Sequence, residues 1–269
     1  MAGIPEAKHD LIPNLGHPLD IHTLDHDVPQ HSLARSTWLH LLPGMLILLF
    51  ALVVGPLVNR LSLPLLLVPS LWVLCVIIPV ELGFLLYQGK RLTGRYSLHG
   101  VLRYRTPLPP HSYLLLVPPL VIWSILAFLL ISPRVDPFFL ISRLFFWLPG
   151  WFFNLFMLGP VDMHPRPILV FAVVLNLLTN PAAGMVEELY YRGYLLPRIA
   201  QLRGWAPLVS AVLFSLQHLF SPWQNPARII ALVPMVYAVA WKRNIVIGLT
   251  VHGVLNLLSA AAMLSLLHR

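Results

Sequence analysis

The sequence predicts an all-α protein: a polytopic transmembrane helical bundle of about eight hydrophobic helices. Three observations carry that expectation. The 269 residues are 58% hydrophobic, with a mean hydropathy of +0.77. Only 10% of them are charged, where soluble domains carry about 25%. The apolar residues also come in runs of roughly 20, the length that crosses a bilayer as a helix.

The elements follow in chain order. Residues 1–37 form a polar, Pro-containing tail in which His and Asp alternate loosely ("HPLDIHTLDHDVPQH"). It is expected to lie on the surface or to lack fixed structure; a metal-binding tail is the alternative, although the spacing fits no fixed coordination geometry. Residues 38–58 and 64–88 form the first two hydrophobic runs, and residues 112–131 the third. A fourth, 138–158, is aromatic-rich and interrupted by Pro149-Gly150. Residues 167–197 are too long for one straight span and are expected to bend at Asn180-Pro181. Residues 206–220, 227–241 and 245–266 complete the set. Prolines recur inside these runs, which membranes tolerate because neighbouring groups re-satisfy the freed backbone. The chain thus divides into the tail (1–37), an N-terminal transmembrane region (38–164) and a C-terminal region (165–266).

The formal net charge is +8. Residues 1–31 hold Glu6, Asp10, Asp20, Asp25 and Asp27 together with five histidines, so the remainder is more basic than the total. In a membrane protein such an excess belongs to cytoplasmic loops facing anionic lipid. The nucleic-acid pattern, a basic patch with interleaved aromatics, is missing. Lys90, Arg91, Arg95, Arg103 and Arg105 make segment 89–111 the densest positive loop, and the positive-inside rule places it in the cytoplasm. Strict alternation from there puts Lys242 and Arg243 outside, against the same rule, unless 138–158 is re-entrant or 167–197 is two elements. The single cysteine, Cys75, excludes an intramolecular disulfide and a Cys-rich metal site. No basic n-region precedes an apolar stretch near Met1, so the first span is expected to act as its own insertion signal. The expected location is an integral, multi-pass position in the plasma membrane.

Ionisable residues at membrane depth are costly, and each is a functional hypothesis. In "NPAAGMVEELYYRGYLLPR", Glu188 and Arg192 are four apart and can pair on one helix face. Glu187 has no cation three or four residues away and is left to face a cavity. The alternative is that all three lie in a loop at the membrane surface. His218 shares a face with Phe214, and Asn256 shares one with His252. Taken singly, each His fits a packed, hydrogen-bonded core residue, and the Asn fits interhelical glue. Taken together, they place polar groups at one-turn spacing on three separate helices. A carboxylate and an imidazole can hold and deprotonate a water. A second His and an Asn amide can donate to a developing oxyanion. Glu81 is expected near the interface, partly solvated, and Arg143 is expected to snorkel or to pair with Asp136.

The motifs Glu187-Glu188-x-x-x-Arg192, Phe214-x-x-x-His218 and His252-x-x-x-Asn256, in that order, resemble those of the CAAX protease and bacteriocin-processing family of intramembrane proteases (CPBP or Abi), to which the Rce-type CAAX prenyl endopeptidases belong. The resemblance covers residues 165–260 and makes 165–266 a CPBP-like catalytic core. It implies an endopeptidase acting on a membrane-anchored protein or peptide, including prenylated CAAX proteins. It further implies that Glu187 is the general base with His218 as its partner on the water. His252 and Asn256 would be the oxyanion stabilisers, and Glu188, Arg192 and Phe214 would support the site. Two cofactor readings stay open: a metal-free site, which is favoured, or zinc held by Glu187, His218 and His252. The chain lacks the His-Glu-x-x-His helix of common zinc proteases. A non-catalytic membrane adaptor or bacteriocin-immunity protein, and a small transporter, are the competing functions. The sequence has no internal repeat of the kind common in transporters.

Overall fold

The computed structural model describes residues 28–135, 147–155 and 164–268. Most of the tail and most of the 138–158 run, with Asp136 and Arg143, lie outside the described residues. Among the described residues the chain is helical, with no strand beyond an isolated bridge between Arg105 and Asn244.

The first helix, α1 (Leu33–Arg60), starts inside the segment assigned to the tail. Ser32 caps it, its hydroxyl accepting from the Arg35 N–H at 3.2 Å. A side-chain acceptor satisfies one of the amides that every helix start leaves open. The preceding residues are anchored rather than loose: the His31 N–H donates to the Arg198 carbonyl at 2.7 Å, and the Gln201 side chain donates to the His31 carbonyl at 2.8 Å.

Helix α2 (Leu67–Thr93) is wound as a π-helix through Val73–Leu82, around Pro79. It ends at Gly94, whose φ of 75° only glycine adopts at low cost. Helix α3 (Pro110–Val135) follows the basic loop. Only 11% of its most apolar window is buried within the protein, so the remainder requires lipid or another apolar cover. A short α4 (Gly150–Asn154) precedes α5 (Arg166–Glu187).

Helix α5 is continuous through Asn180-Pro181, where a bend was expected, with Pro181 inside it. The winding changes later, into a π-helical segment, Glu188–Leu195, and then a 3₁₀ segment, Leu196–Trp205, broken at Ile199 and Arg203. Helices α6 (Ala206–Leu216), α7 (Asn225–Lys242) and α8 (Ile245–Ala262) complete the bundle.

Among the described residues, five helical stretches are long and apolar enough to cross a membrane: Leu33–Arg60, Leu67–Thr93, Pro110–Ile131, Arg166–Leu216 and Ile245–Ser265. The expected count was about eight. The difference arises because 167–197 and 206–220 join into one helical run, 138–158 is described only in part, and the helix Asn225–Lys242 that holds 227–241 is not among the five.

Two apolar cores hold the bundle. One gathers Tyr190, Tyr191, Leu195, Phe214, Met235 and Val251 around the π-helical segment. The other gathers Ile47, Val68, Trp72, Ile77, Phe220 and Trp223 between α1, α2 and the turn after α6.

Candidate active site

From Val186 to Ile199 every residue except Leu189 is buried. Glu187, Glu188 and Arg192 thus lie in a buried helical segment and not in an exposed loop. Glu187 is 6% exposed, while Glu188 and Arg192 are fully buried. The π-winding begins at Glu188. A π-turn inserts one extra residue into a helix and is often found at functional sites. Here it lets two consecutive carboxylates and Arg192 all face the interior.

Glu188 and Arg192 form the expected pair, Oε1 to Nη1 at 3.2 Å. The guanidinium also stacks over the Phe214 ring, 4.1 Å from its centre, a favourable cation–π placement away from water. Glu188 does more than the sequence suggested. The same Oε1 lies 2.9 Å from His252 Nδ1. A carboxylate accepts, so Nδ1 carries the proton, and Nε2 turns to the other side. There it meets Glu187 Oε2 at 3.6 Å. One imidazole therefore bridges the two glutamates.

His218 is held from its own helix. Its Nδ1 lies 2.9 Å from the Phe214 carbonyl, which only accepts, so the proton sits on Nδ1 and Nε2 presents a lone pair. The Phe214 ring touches both histidines edge to face, with centres 5.0 Å from His218 and 5.9 Å from His252. Phe214 is thus the spacer between the two imidazoles. Asn256 donates to the Asn180 carbonyl at 3.0 Å, and Asn180 returns a hydrogen bond to the Asn256 carbonyl at 3.3 Å. One N–H of the Asn256 amide is left over. His218 and Asn256 are half-buried while the glutamates are buried, so the site opens on the side of these two residues.

Two glycines make the approach of α5 and α8 possible. A Cβ on Gly248 would overlap Glu188 Oε2, and one on Gly184 would sit 2.8 Å from Asn256 Nδ2. Neither these glycines nor Asn180 was singled out from sequence. Their signal was available: Gly184 and Asn180 precede Glu187 by one and two helical turns, and Gly248 precedes His252 by one turn.

Glu81 departs from expectation. It is fully buried, and neither carboxyl oxygen has a hydrogen-bond partner among the described residues. It lies close enough to Glu187 and Arg192 for their charges to interact. It lies on the π-wound stretch of α2, whose residues Ile77, Ile78, Val80 and Leu82 pack in the apolar core while Pro79 is exposed.

Among the described residues no three His, Cys, Asp or Glu side chains are gathered as a metal-ligand set. Glu187, His218 and His252 are not gathered as such a set in this arrangement.

Residues 167–258 match the family model described as type II CAAX prenyl endopeptidase Rce1-like. The match spans every residue of the bridged site. No curated protein and no solved structure matches the chain. The family likeness and the five apolar helices among the described residues together support an integral membrane protein.

Proposed function

We propose that the chain is an intramembrane endopeptidase of the plasma membrane that hydrolyses a peptide bond in a membrane-anchored protein or peptide, prenylated CAAX-type substrates included. The observation that carries this reading is His252 held between Glu187 and Glu188, inside the segment that resembles the Rce1-like endopeptidases.

Glu187 is the general base. A water held between its carboxylate and the His218 Nε2 lone pair loses a proton to Glu187 as its oxygen attacks the scissile carbonyl. The carbonyl π bond breaks and the electron pair moves to oxygen. The spare Asn256 N–H and, when the ring carries its second proton, His252 Nε2–H stabilise that oxyanion. Collapse re-forms the carbonyl and breaks the C–N bond, and the proton on Glu187 passes to the leaving amine. Glu188 fixes the His252 ring, and Arg192 balances Glu188. The proposed reaction takes no metal; these side chains supply the base and the oxyanion donors.

The test compares wild type with Glu187→Gln in matched cells, reading the termini of membrane proteins and released peptides by mass spectrometry. New termini made only by wild type are the expected result, and their sequences name the substrate class. Equal termini, with both proteins folded and expressed, would favour a non-catalytic adaptor. On the identified substrate, purified enzyme stripped with chelator should keep its rate. A loss restored by zinc would replace the metal-free water with a metal-bound one.

A further inference from the structure

His218 stands just beyond the end of α6, in a turn rather than on the helix itself. A helical frame no longer fixes its backbone there, and turn hydrogen bonds replace it. The His218 N–H donates to the Ser215 carbonyl at 3.2 Å, the Leu219 N–H to the Gln217 carbonyl at 2.8 Å, and the Ser221 N–H to the His218 carbonyl at 2.9 Å. Helix α1 closes on the same turn. A Cβ on Gly44 would overlap the Gln217 carbonyl oxygen, so only glycine lets the two backbones approach this closely. Gln217 is fully buried, a primary amide in a mostly apolar stretch ("AVLFSLQHLF"). Burying an amide is unfavourable unless it finds hydrogen-bond partners.

Its partner is the imidazole next to it. The Gln217 amide lies 3.1 Å from His218 Nδ1, and the Phe214 carbonyl lies 2.9 Å from the same nitrogen. That carbonyl belongs to the α6 backbone, only accepts and cannot turn, so it places the proton on Nδ1. With the amide nitrogen nearest, two donors would oppose each other, and Gln217 Oε1 would be buried without a partner among the described residues. Half a turn about its last bond exchanges the oxygen and nitrogen of an amide and moves no other atom. The turned amide gives its oxygen to the Nδ1–H, and its NH₂ takes the other buried position.

We propose that Gln217 is a positioning residue for His218: its side-chain oxygen accepts from Nδ1–H together with the Phe214 carbonyl, and so holds the ring with its Nε2 lone pair free. In the proposed hydrolysis, on which this role in turnover rests, that lone pair holds the attacking water against Glu187. The opposite tautomer would put an N–H on Nε2. It would also set the Nδ1 lone pair against the Phe214 carbonyl oxygen, 2.9 Å away. Gln217 acts through the ring rather than on the scissile bond.

The experiment uses the full chain in detergent, with isotope-labelled histidine. NMR of the ring nitrogens reads the tautomer, and His218→Asn identifies the His218 signals by their loss. Wild type is expected to carry the His218 proton on Nδ1 at neutral pH. Gln217→Met, close in volume, removes the acceptor, and the His218 signals should become a mixture of tautomers. On the substrate that wild type cleaves, its kcat should fall about three- to tenfold with KM little changed, the worth of one hydrogen bond. Gln217→Glu, which keeps an oxygen at the same reach, should restore the Nδ1–H signal and most of the turnover. A wild-type proton on Nε2 overturns the proposal without any variant at Gln217, and so does an unchanged Nδ1–H signal in folded Gln217→Met. Should Gln217→Met fail to fold, Gln217→Glu decides: a proton moved to Nε2 there overturns it. The ring signals need no turnover and should be unchanged in Glu187→Gln. Loss of the protease reading would therefore leave the Gln217 contact standing, and loss of the contact would leave the protease reading standing.

Discussion

Glu188 Oε1 lies 2.9 Å from His252 Nδ1 and 3.2 Å from Arg192 Nη1. One carboxylate oxygen joins the imidazole on α8 to the cation on its own turn. The second glutamate of the motif therefore sets the tautomer and orientation of His252 as well as neutralising Arg192.

Glu188→Gln should lower both stability and turnover. Arg192 would lose its ion pair in a buried position, a loss of about 3–5 kcal/mol in comparable cases. His252 would lose the acceptor that holds Nδ1–H. The expected kinetic signature is a fall in kcat with KM little changed, and a shifted pH–rate profile. An unaltered profile in folded Glu188→Gln would reduce its role to structure.

Glu187→Gln should fold normally and lose turnover by about 10²–10⁴-fold, the usual contribution of a general base. Near-isosteric replacement leaves the packing intact. Purified variant and wild type compared on the same cleaved peptide decide it, and turnover within a few-fold of wild type would remove Glu187 as the base.

Gly248→Ala should damage the site from behind. Its methyl group would overlap Glu188 Oε2 and push the carboxylate away from His252. Overpacking of this kind costs about 1–3 kcal/mol. Gly83→Ala is the matched control, since nothing lies within 4 Å of a Cβ there. Thermal unfolding of the two variants should separate them, with Gly83→Ala at or above wild type.

His31 should make stability fall in mild acid. Burial, with the Arg35 and Arg198 guanidinium groups nearby, holds its pKa down to about 4 from the ordinary 6.5. Above pH 6.5 the ring is neutral in folded and unfolded chains alike, and the folded state keeps its full stability. Between pH 6.5 and about 4 only the unfolded chain takes up the proton, so stability declines as pH falls through that window. His31→Asn should flatten this part of a pH-dependent unfolding series; an unchanged slope would place the acid sensitivity elsewhere.

Much of this protein is legible in its residue order. Apolar runs of bilayer length announce a helical membrane protein, because twenty apolar residues have no other stable place. Spacing alone pairs Glu188 with Arg192, since four residues bring two side chains to one face. The three motifs carry the family likeness because each is local, contained within two helical turns.

What spacing could not supply is how the helices meet and where their winding changes. Pro181 looked like the break, yet α5 continues as α-helix past it and the winding changes only at Glu188. Glu81 looked interfacial from its place near a span's end, but the π-turn around Pro79 rotates it into the core. Above all, the bridge from Glu187 through His252 to Glu188 joins residues 64 positions apart. Residue order determined which groups are present and that Glu188 and Arg192 share a face. Tertiary structure alone decided which imidazole meets which carboxylate, because that depends on the close approach of α5 and α8 at Gly184 and Gly248.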